Sequence, residues 1–452
     1  MVGELGRRRF LELLSAGSGT ALLAASLGSC SRPGPGGADG RVLNFWTLDL
    51  APKFNAYVLG LIAAWEGQNP GIRVRWTDVP WSSVERKLLA AVFARTAPDL
   101  VNLNPPFAAN LASKGGLRDL TEVLPAGAAG AYLPAIWEAG RQGVGASAEQ
   151  FAIPWYLTAR ITMANRRLLE RAGYGSPPLQ WSGVPAYAEA VSRRTGRYAL
   201  FVTVVPDDSA ELLEILVQMG VQLLDGQQRA AFNSPAGRRA FAFWSDLYRR
   251  GLLPREVVSQ GYRRAIELYQ SGDLAQVATG PDFLRNLHTN APGIAAVTAP
   301  YVPLSGAGGE ANVAVMNLVV PRQSALAAEA TRFALFLTNG PNQLAFAEQA
   351  RVLPSNQVAL QQLEASLEDS LGPAGATAQP NDQESLVQRA RLLSAQTLRR
   401  ARVLVPASPG VKRLQAIVYT QLQRAMLGQV DSDAALATAA DEWNRYARAR
   451  WG

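Results

Sequence analysis

Histidine and cysteine are almost absent from this chain. Its 452 residues include one His, His288, and one Cys, Cys30. A lone cysteine has no internal disulfide partner, and one His with one Cys cannot build a Cys- or His-based metal cluster. His288 lies in "RNLHTNAPG", with no Ser or carboxylate at a triad spacing, and reads as a surface or packing residue. Lysine is also scarce: of 44 basic residues only Lys53, Lys87, Lys114 and Lys412 are Lys. The arginines are scattered over amphipathic segments. Nucleic-acid binders gather theirs into a stripe, so the formal charge of +8 reads as a solvated surface and no nucleic-acid partner is expected. There is no G-x-x-x-x-G-K-[ST] phosphate loop, and "GAGGEA" at 306–311 reads as a loop, not a dinucleotide fingerprint. No cofactor is implied.

What is present begins with an export signal. "MVGELGRRRFLELLSAGSGTALLAASLGSC" joins a basic cluster, Arg7-Arg8-Arg9, to an apolar stretch interrupted by Ser and Gly. That is signal-peptide architecture, too short and too Gly/Ser-rich to span a membrane. Arg7 to Leu11 resembles the twin-arginine export pattern, with Gly6 and Glu12 in place of its usual Ser and Lys, and "LGSC" resembles a lipobox. The expectation is a signal peptide over 1–29, lipidation at Cys30, and a Pro/Gly-rich tether over 30–40. The folded part then begins near Arg41, on the outer side of the cytoplasmic membrane and anchored by lipid.

The chain after Arg41 alternates strands and helices. "RVLNFWTLD" and "IRVRWTDV" have strand alternation, and "PDLVNLN" is a short third strand. "KFNAYVLGLIAAWEGQNPG" has helical spacing stopped by Asn69-Pro70-Gly71, and "WSSVERKLLAAVFARTA" is a helix with Ser82 or Ser83 as N-cap. Strand–helix–strand–helix–strand predicts a parallel sheet with crossover helices. The same grammar returns beyond residue 196: "GRYALFVTV" as a strand, "SAELLEILVQMG" as a helix, and a helix starting at Asn233 or Ser234. Two α/β units are therefore expected, on either side of "FAIPWYLTARITMANRRLL" (151–169).

Several segments, in order, carry a family resemblance. They are "LNFWT", "NPGIRVRW", "APDLVNLN", "GGLRDLTEVL", "FAIPWYLTARITMANRRLLERAGY", "FNSPAGRRAFAFWSDLYRRGLL", "SGDLAQVATGPDF", "NVAVMNLVVPRQSALAAEATRFALFLTN" and "ARVLPSN". The chain resembles the extracellular solute-binding proteins of ABC importers, in the carbohydrate-binding group that includes the maltodextrin-binding protein. The resemblance implies an α/β, two-lobed periplasmic-binding-protein-like (type II) fold, each lobe a sheet flanked by helices, closing about a hinge. It places the first crossing near Trp155–Ala159 and the return near Asn312–Met316. The lobes would then comprise 41–157 with 315–345, and 158–314 with 346–452. A carbohydrate ligand, ABC permease partners and a monomeric state follow as expectations; a polyol or glycerol phosphate stays open as the ligand.

Sugars offer apolar C–H faces and a rim of hydroxyls, so their sites need flat aromatics and fixed polar groups. On that basis the expected contacts are Trp46 and Thr47 past the first strand's apolar core, and Asn102 and Asn104 at the end of the third. Trp155 and Tyr156 at the crossing follow, with Asn317 on the return and Arg351 before "VLPSN". Where the family often has Gly-x-Trp, the chain reads Gly280-Pro281-Asp282-Phe283, so Asp282 and Phe283 are the candidates there. A packing role competes at Trp46, and turn chemistry at the two asparagines. The rival readings are an extracellular glycosidase or lyase and a ligand-sensing protein. Asp207-Asp208 is the one conceivable acid pair, better read as part of a capped helix start.

Overall fold

The computed structural model describes residues 41–142, 148–206, 208–372, 383–405 and 407–451. The expected signal peptide, Cys30, the tether and Asp207 lie outside them. Among the described residues no helix is long and apolar enough to cross a membrane.

The alternating segments form parallel neighbours, strands Arg41–Leu48 and Ile72–Val79, in register from Arg41 opposite Ile72 to Leu48 opposite Val79. Strand Leu100–Leu103 lies parallel on the other side of the first. The crossover helix Asn55–Gln68 buries Val58, Ile62 and Trp65, one helical stripe. Gly71 then turns the chain back with φ 89°, a conformation that costs glycine little. Helix Val84–Phe93 has Ser83 at its N-cap position, although the Ser83 hydroxyl donates to the Pro80 carbonyl and caps nothing.

Three later segments complete this sheet. Its order is Leu353–Pro354, Ile153–Thr158, Ala314–Val319, Leu100–Leu103, Arg41–Leu48, Ile72–Val79, and the late strands run antiparallel to their neighbours. Pro154 thus sits in a strand paired on both sides, where its missing N–H should break the ladder. The ladder yields at that point: Met316 pairs with Tyr156 and Asn317 with Pro154, which leaves Trp155 as the extra residue of a bulge. The Pro154 carbonyl accepts from Ser355 Oγ at 2.6 Å, which ties the strand to the segment after Leu353–Pro354.

The second lobe has an antiparallel sheet, Gln276–Thr279, Ile161–Asn165, Thr298–Tyr301, with Ile161–Asn165 central. "GRYALFVTV" is buried and extended along this sheet without forming a regular strand; it is held by the Tyr198–Leu274 bridge and the Gln276 N–H to the Ala199 carbonyl. One apolar core spans this lobe. It holds Met163, Tyr187, Trp244 and Leu287, and takes in Val387, Tyr419 and Trp443 from the last helices. A separate core, with Phe45, Trp65, Trp155 and Phe333, fills the first lobe, and a third, with Leu157, Val313 and Leu363, lies at the crossing. The lobe boundary expected after residue 345 falls within helix Gly340–Ala350. Phe346 of that helix packs in the first core, and Leu353–Pro354 pairs in the first sheet, so the chain stays with the first lobe beyond 345.

Candidate ligand site at the lobe crossing

The two crossing strands leave the first sheet side by side, and Thr158 is paired with Ala314 where they part. Beyond this pair a cavity of 180 Å³ opens against the second lobe. Thr158, Arg160 and Thr162 project into it from alternate positions of the outgoing chain, and Asn312 and Ala314 from the returning one. Helix Glu211–Gln218 forms the facing wall, with Glu211 and Glu214 one turn apart on one face. Trp181 and Gln276 close the far side. Gly306 lets the loop after Leu304 lie against that helix, since a Cβ there would stand 1.7 Å from the Gln218 carbonyl oxygen.

Arg160 organises the charges. Its guanidinium lies 3.4 Å from the Glu211 carboxylate and 5.3 Å from the centre of the Tyr262 ring, and Nη2 donates to Ser209 Oγ at 3.4 Å. Burial pulls the Arg160 pKa down, and the charges of Glu211 and Glu214 more than offset it. Burial pushes Glu214 up to about 7, against the pull of Arg160 and a hydrogen bond from Asn312 and with the push of Glu211. Glu211 is raised for the same reason, with Asp208 adding to the burial and Arg160 opposing it. Two buried polar atoms on this wall, Arg160 Nη1 and Gln276 Oε1, make no hydrogen bond within the protein. Nη1 is the guanidinium nitrogen that faces Glu211, so Gln276 Oε1 is the buried acceptor on this wall without a partner in the protein. Trp181 presents its ring while its Nε1 donates to Gln218 Oε1 at 2.8 Å.

None of the ten residues expected to touch ligand lines this cavity. Trp155 is 1 % exposed and stacks on Phe346 (5.1 Å, 15° between ring planes) inside the first core. Tyr156, also buried, meets the same ring edge-on, and burial together with the Asp78 charge drives its hydroxyl pKa far upward. Thr47 is fully buried; its hydroxyl donates to Asp78 at 2.6 Å and accepts from Trp76 Nε1 at 2.7 Å. Trp46 beside it is half-buried against the core that holds Leu88 and Val101. Asn104 caps helix Pro105–Ala112 by accepting from the Phe107 N–H at 3.0 Å. Asn102 donates from Nδ2 to the Asn317 carbonyl at 3.2 Å, which brings these two together in the sheet interior. Phe283 is buried against Tyr269. Asp282 and Arg351 pair with each other at 3.1 Å in a second space of 260 Å³, on the face of the crossing strand that carries Leu157 and Ala159. Asn317 lines a small hollow of 40 Å³ on the first lobe, which Ala407 also borders.

The residues that do gather, Arg160, Glu211, Glu214 and Asn312, carry faint sequence signals. Arg160 breaks an otherwise apolar run, "LTARITMA", and Glu211 and Glu214 stand three apart in a helix whose first turn is naturally acidic. Of the other acids and bases, Asp208 accepts from the Tyr262 N–H at 2.8 Å, and His288 Nδ1 donates to the Leu284 carbonyl at 2.7 Å. At the rim of the lobes Lys412 bridges to Glu85 at 3.1 Å. No group of three or more metal-ligating side chains occurs among the described residues.

Comparison with known proteins gives a consistent result. Residues 51–343 match the family model described as bacterial extracellular solute-binding protein. A crystal structure titled "putative oligosaccharide periplasmic-binding protein", from Synechococcus sp. MITs9220, is 64% identical, covers 91% of this chain and 100% of its own, and superposes with a TM-score of 0.81. The sugar-binding protein MalE from Xanthomonas citri shares the fold at 21% identity, with a TM-score of 0.71 over 90% of this chain and 98% of its own. A "putative binding protein" of Brucella abortus is 21% identical across 89% of this chain and 92% of its own length.

Proposed function

Because this chain belongs to the bacterial extracellular solute-binding protein family, we propose that it is the extracytoplasmic receptor of an ABC importer, capturing a carbohydrate between its lobes and delivering it to the permease. The observation that carries this reading is the cavity where the crossing strands part: a charged and amide-rich wall, an aromatic ring, and a buried amide oxygen with no partner in the protein. Amides, carboxylates and a guanidinium are the groups that hold sugar hydroxyls in fixed directions, and an indole face suits the C–H surface of a ring. The 64% identity to the Synechococcus protein supports an oligosaccharide as the class of ligand. At 180 Å³ the cavity is smaller than the roughly 300–1,000 Å³ of ligand pockets, which suits one sugar unit, with the remainder of a longer ligand in the cleft.

Capture requires no bond to be broken. Contacts to both lobes favour the closed conformer, and the permease reads that conformer. The glycosidase reading loses ground on geometry. Glu211 and Glu214 occupy one wall, whereas acid and base in a glycosidase flank the scissile bond from opposite sides. Export by the twin-arginine route and anchoring through a lipid on Cys30 complete the proposal, on the strength of the leader's pattern.

A thermal-shift screen of the purified protein against sugars, polyols, sugar phosphates, amino acids and peptides tests the substrate class. A native-state ligand at 100 times its Kd stabilises by about 2.7 kcal/mol, a readily seen rise in Tm. A shift confined to carbohydrates is expected. A shift from amino acids or peptides alone would remove the carbohydrate assignment.

A further inference from the structure

The charge balance of the cavity narrows its ligand. Arg160 is committed: Glu211 lies 3.4 Å away, and the guanidinium covers the Tyr262 ring. The second carboxyl, Glu214, shares the one guanidinium with Glu211, and its hydrogen-bonding side-chain partner is the neutral Asn312. Asp208 adds further negative charge beside Glu211, while Glu310 behind Gln218 is cancelled by Arg402. With Glu211 and Glu214 ionised, as Glu214 is above about pH 7, Arg160 and its two glutamates carry one net negative charge in a confined space, to which Asp208 adds. A desolvated carboxylate is costly unless paired and hydrogen-bonded. A neutral sugar supplies only hydrogen bonds, and a uronate or sugar phosphate adds a like charge. A ligand with one cationic, hydrogen-bond-donating substituent restores neutrality.

Resting on the carbohydrate reading above, we infer that the sugar unit seated here is an amino sugar, its protonated amine against Glu214 and its hydroxyls on Arg160 Nη1 and Gln276 Oε1. Gln276 Oε1 supplies an unpaired acceptor, and Arg160 Nη1, held 3.4 Å from Glu211, a donor for the ring's uncharged rim. The Trp181 ring at the cavity wall gives a flat surface for its C–H face. Specificity then comes from attraction to the amine together with rejection of anionic sugars by the same carboxylate.

Titration calorimetry of the purified protein tests this with glucose, glucosamine, N-acetylglucosamine, glucuronate and the corresponding β-1,4-linked disaccharides. These probes share one ring and differ in a single substituent. The amine-bearing member should bind about tenfold or more tightly than its neutral parent, which 1.4 kcal/mol of selective attraction supplies. Glucuronate should bind most weakly. Glu214→Gln should bring the amine-to-parent ratio below about threefold, while Glu189→Gln, at an exposed ion pair away from the cavity, keeps the original ratio. A circular dichroism spectrum matching the parent's shows that the variant folds. Equal or tighter binding by the neutral or acetylated sugar, or a preference that survives Glu214→Gln, overturns the inference and leaves the carbohydrate-receptor function standing. Absence of binding by every sugar in the set overturns both.

Discussion

Glu214 links folding to pH, and Glu214→Gln isolates that link. In the unfolded chain its carboxyl titrates near the ordinary value of 4.5; in the fold, burial pushes it to about 7. Below pH 4.5 both states hold the proton. Between about 4.5 and 7 the folded protein keeps it while the unfolded chain releases it, so stability falls as pH rises through that window. At roughly 1.4 kcal/mol per pKa unit the full penalty is about 3 kcal/mol above pH 7, and partial solvent access within the cavity reduces it to about 1–3 kcal/mol. Glutamine keeps the shape and cannot ionise. The variant should therefore match the parent near pH 4.5 and exceed it by about 1–3 kcal/mol at pH 8, with ligand absent. Urea unfolding monitored by circular dichroism at the two pH values measures the difference, and its slope m should stay unchanged. Glu211 remains in both proteins, and since the two carboxylates repel each other, neutralising Glu214 also relieves Glu211 and adds to the gain at pH 8. An equal ΔΔG at pH 4.5 and pH 8 would refute the reasoning, because it would mean that Glu214 titrates alike in both states.

Three further outcomes follow from the same contacts. Arg160→Met removes the cation beside Glu211 and leaves that carboxylate buried without a charge partner; with the Arg160 side chain 39% exposed the loss should be about 1–3 kcal/mol, read by urea unfolding, and sugar binding should fall at least tenfold. Trp155→Ala empties a ring stacked on Phe346 in the first core and should cost about 3–5 kcal/mol, while the Kd of the folded variant stays within about threefold of the parent's; loss of binding without loss of stability would return Trp155 to the ligand site. Thr47→Val keeps the shape but takes one donor from the Asp78 carboxylate, which retains the Leu50 and Ala51 N–H groups, and leaves the Trp76 N–H without its acceptor, which should cost about 1–3 kcal/mol by the same assay.

Elements governed by neighbouring residues were legible in the sequence. The helix stopped by Asn69-Pro70-Gly71, the start of helix Pro235–Arg249 at one of Asn233 or Ser234, which proves to be Ser234, and the break at Gly428 in the tail are written within a few positions. Side-chain destinations set by distant partners were not. Trp155 is claimed by Phe346, which joins its sheet only after the return crossing, and Thr47 by an aspartate on the next strand. The rings that looked poised for a sugar instead hold the first lobe together where its last strands meet. The opposite error arose at Glu211 and Glu214, where acidic residues in a first helical turn match the helix dipole and so give no hint of a site. Only the tertiary placement of Arg160 opposite them turns a helix start into one wall of a cavity. Pro154 shows a middle case: it marks an irregular position in the crossing strand, and the bulge that accommodates it, with Trp155 as the extra residue, lies beside it on the same strand.

The most direct test of the central claim is a crystal structure of the protein with the carbohydrate that shifts its melting temperature most. A sugar ring in the cavity between the crossing strands and helix Glu211–Gln218, within hydrogen-bonding distance of Arg160, Glu214 and Gln276, is the predicted result. A sugar seated elsewhere, with those three side chains untouched, would contradict it.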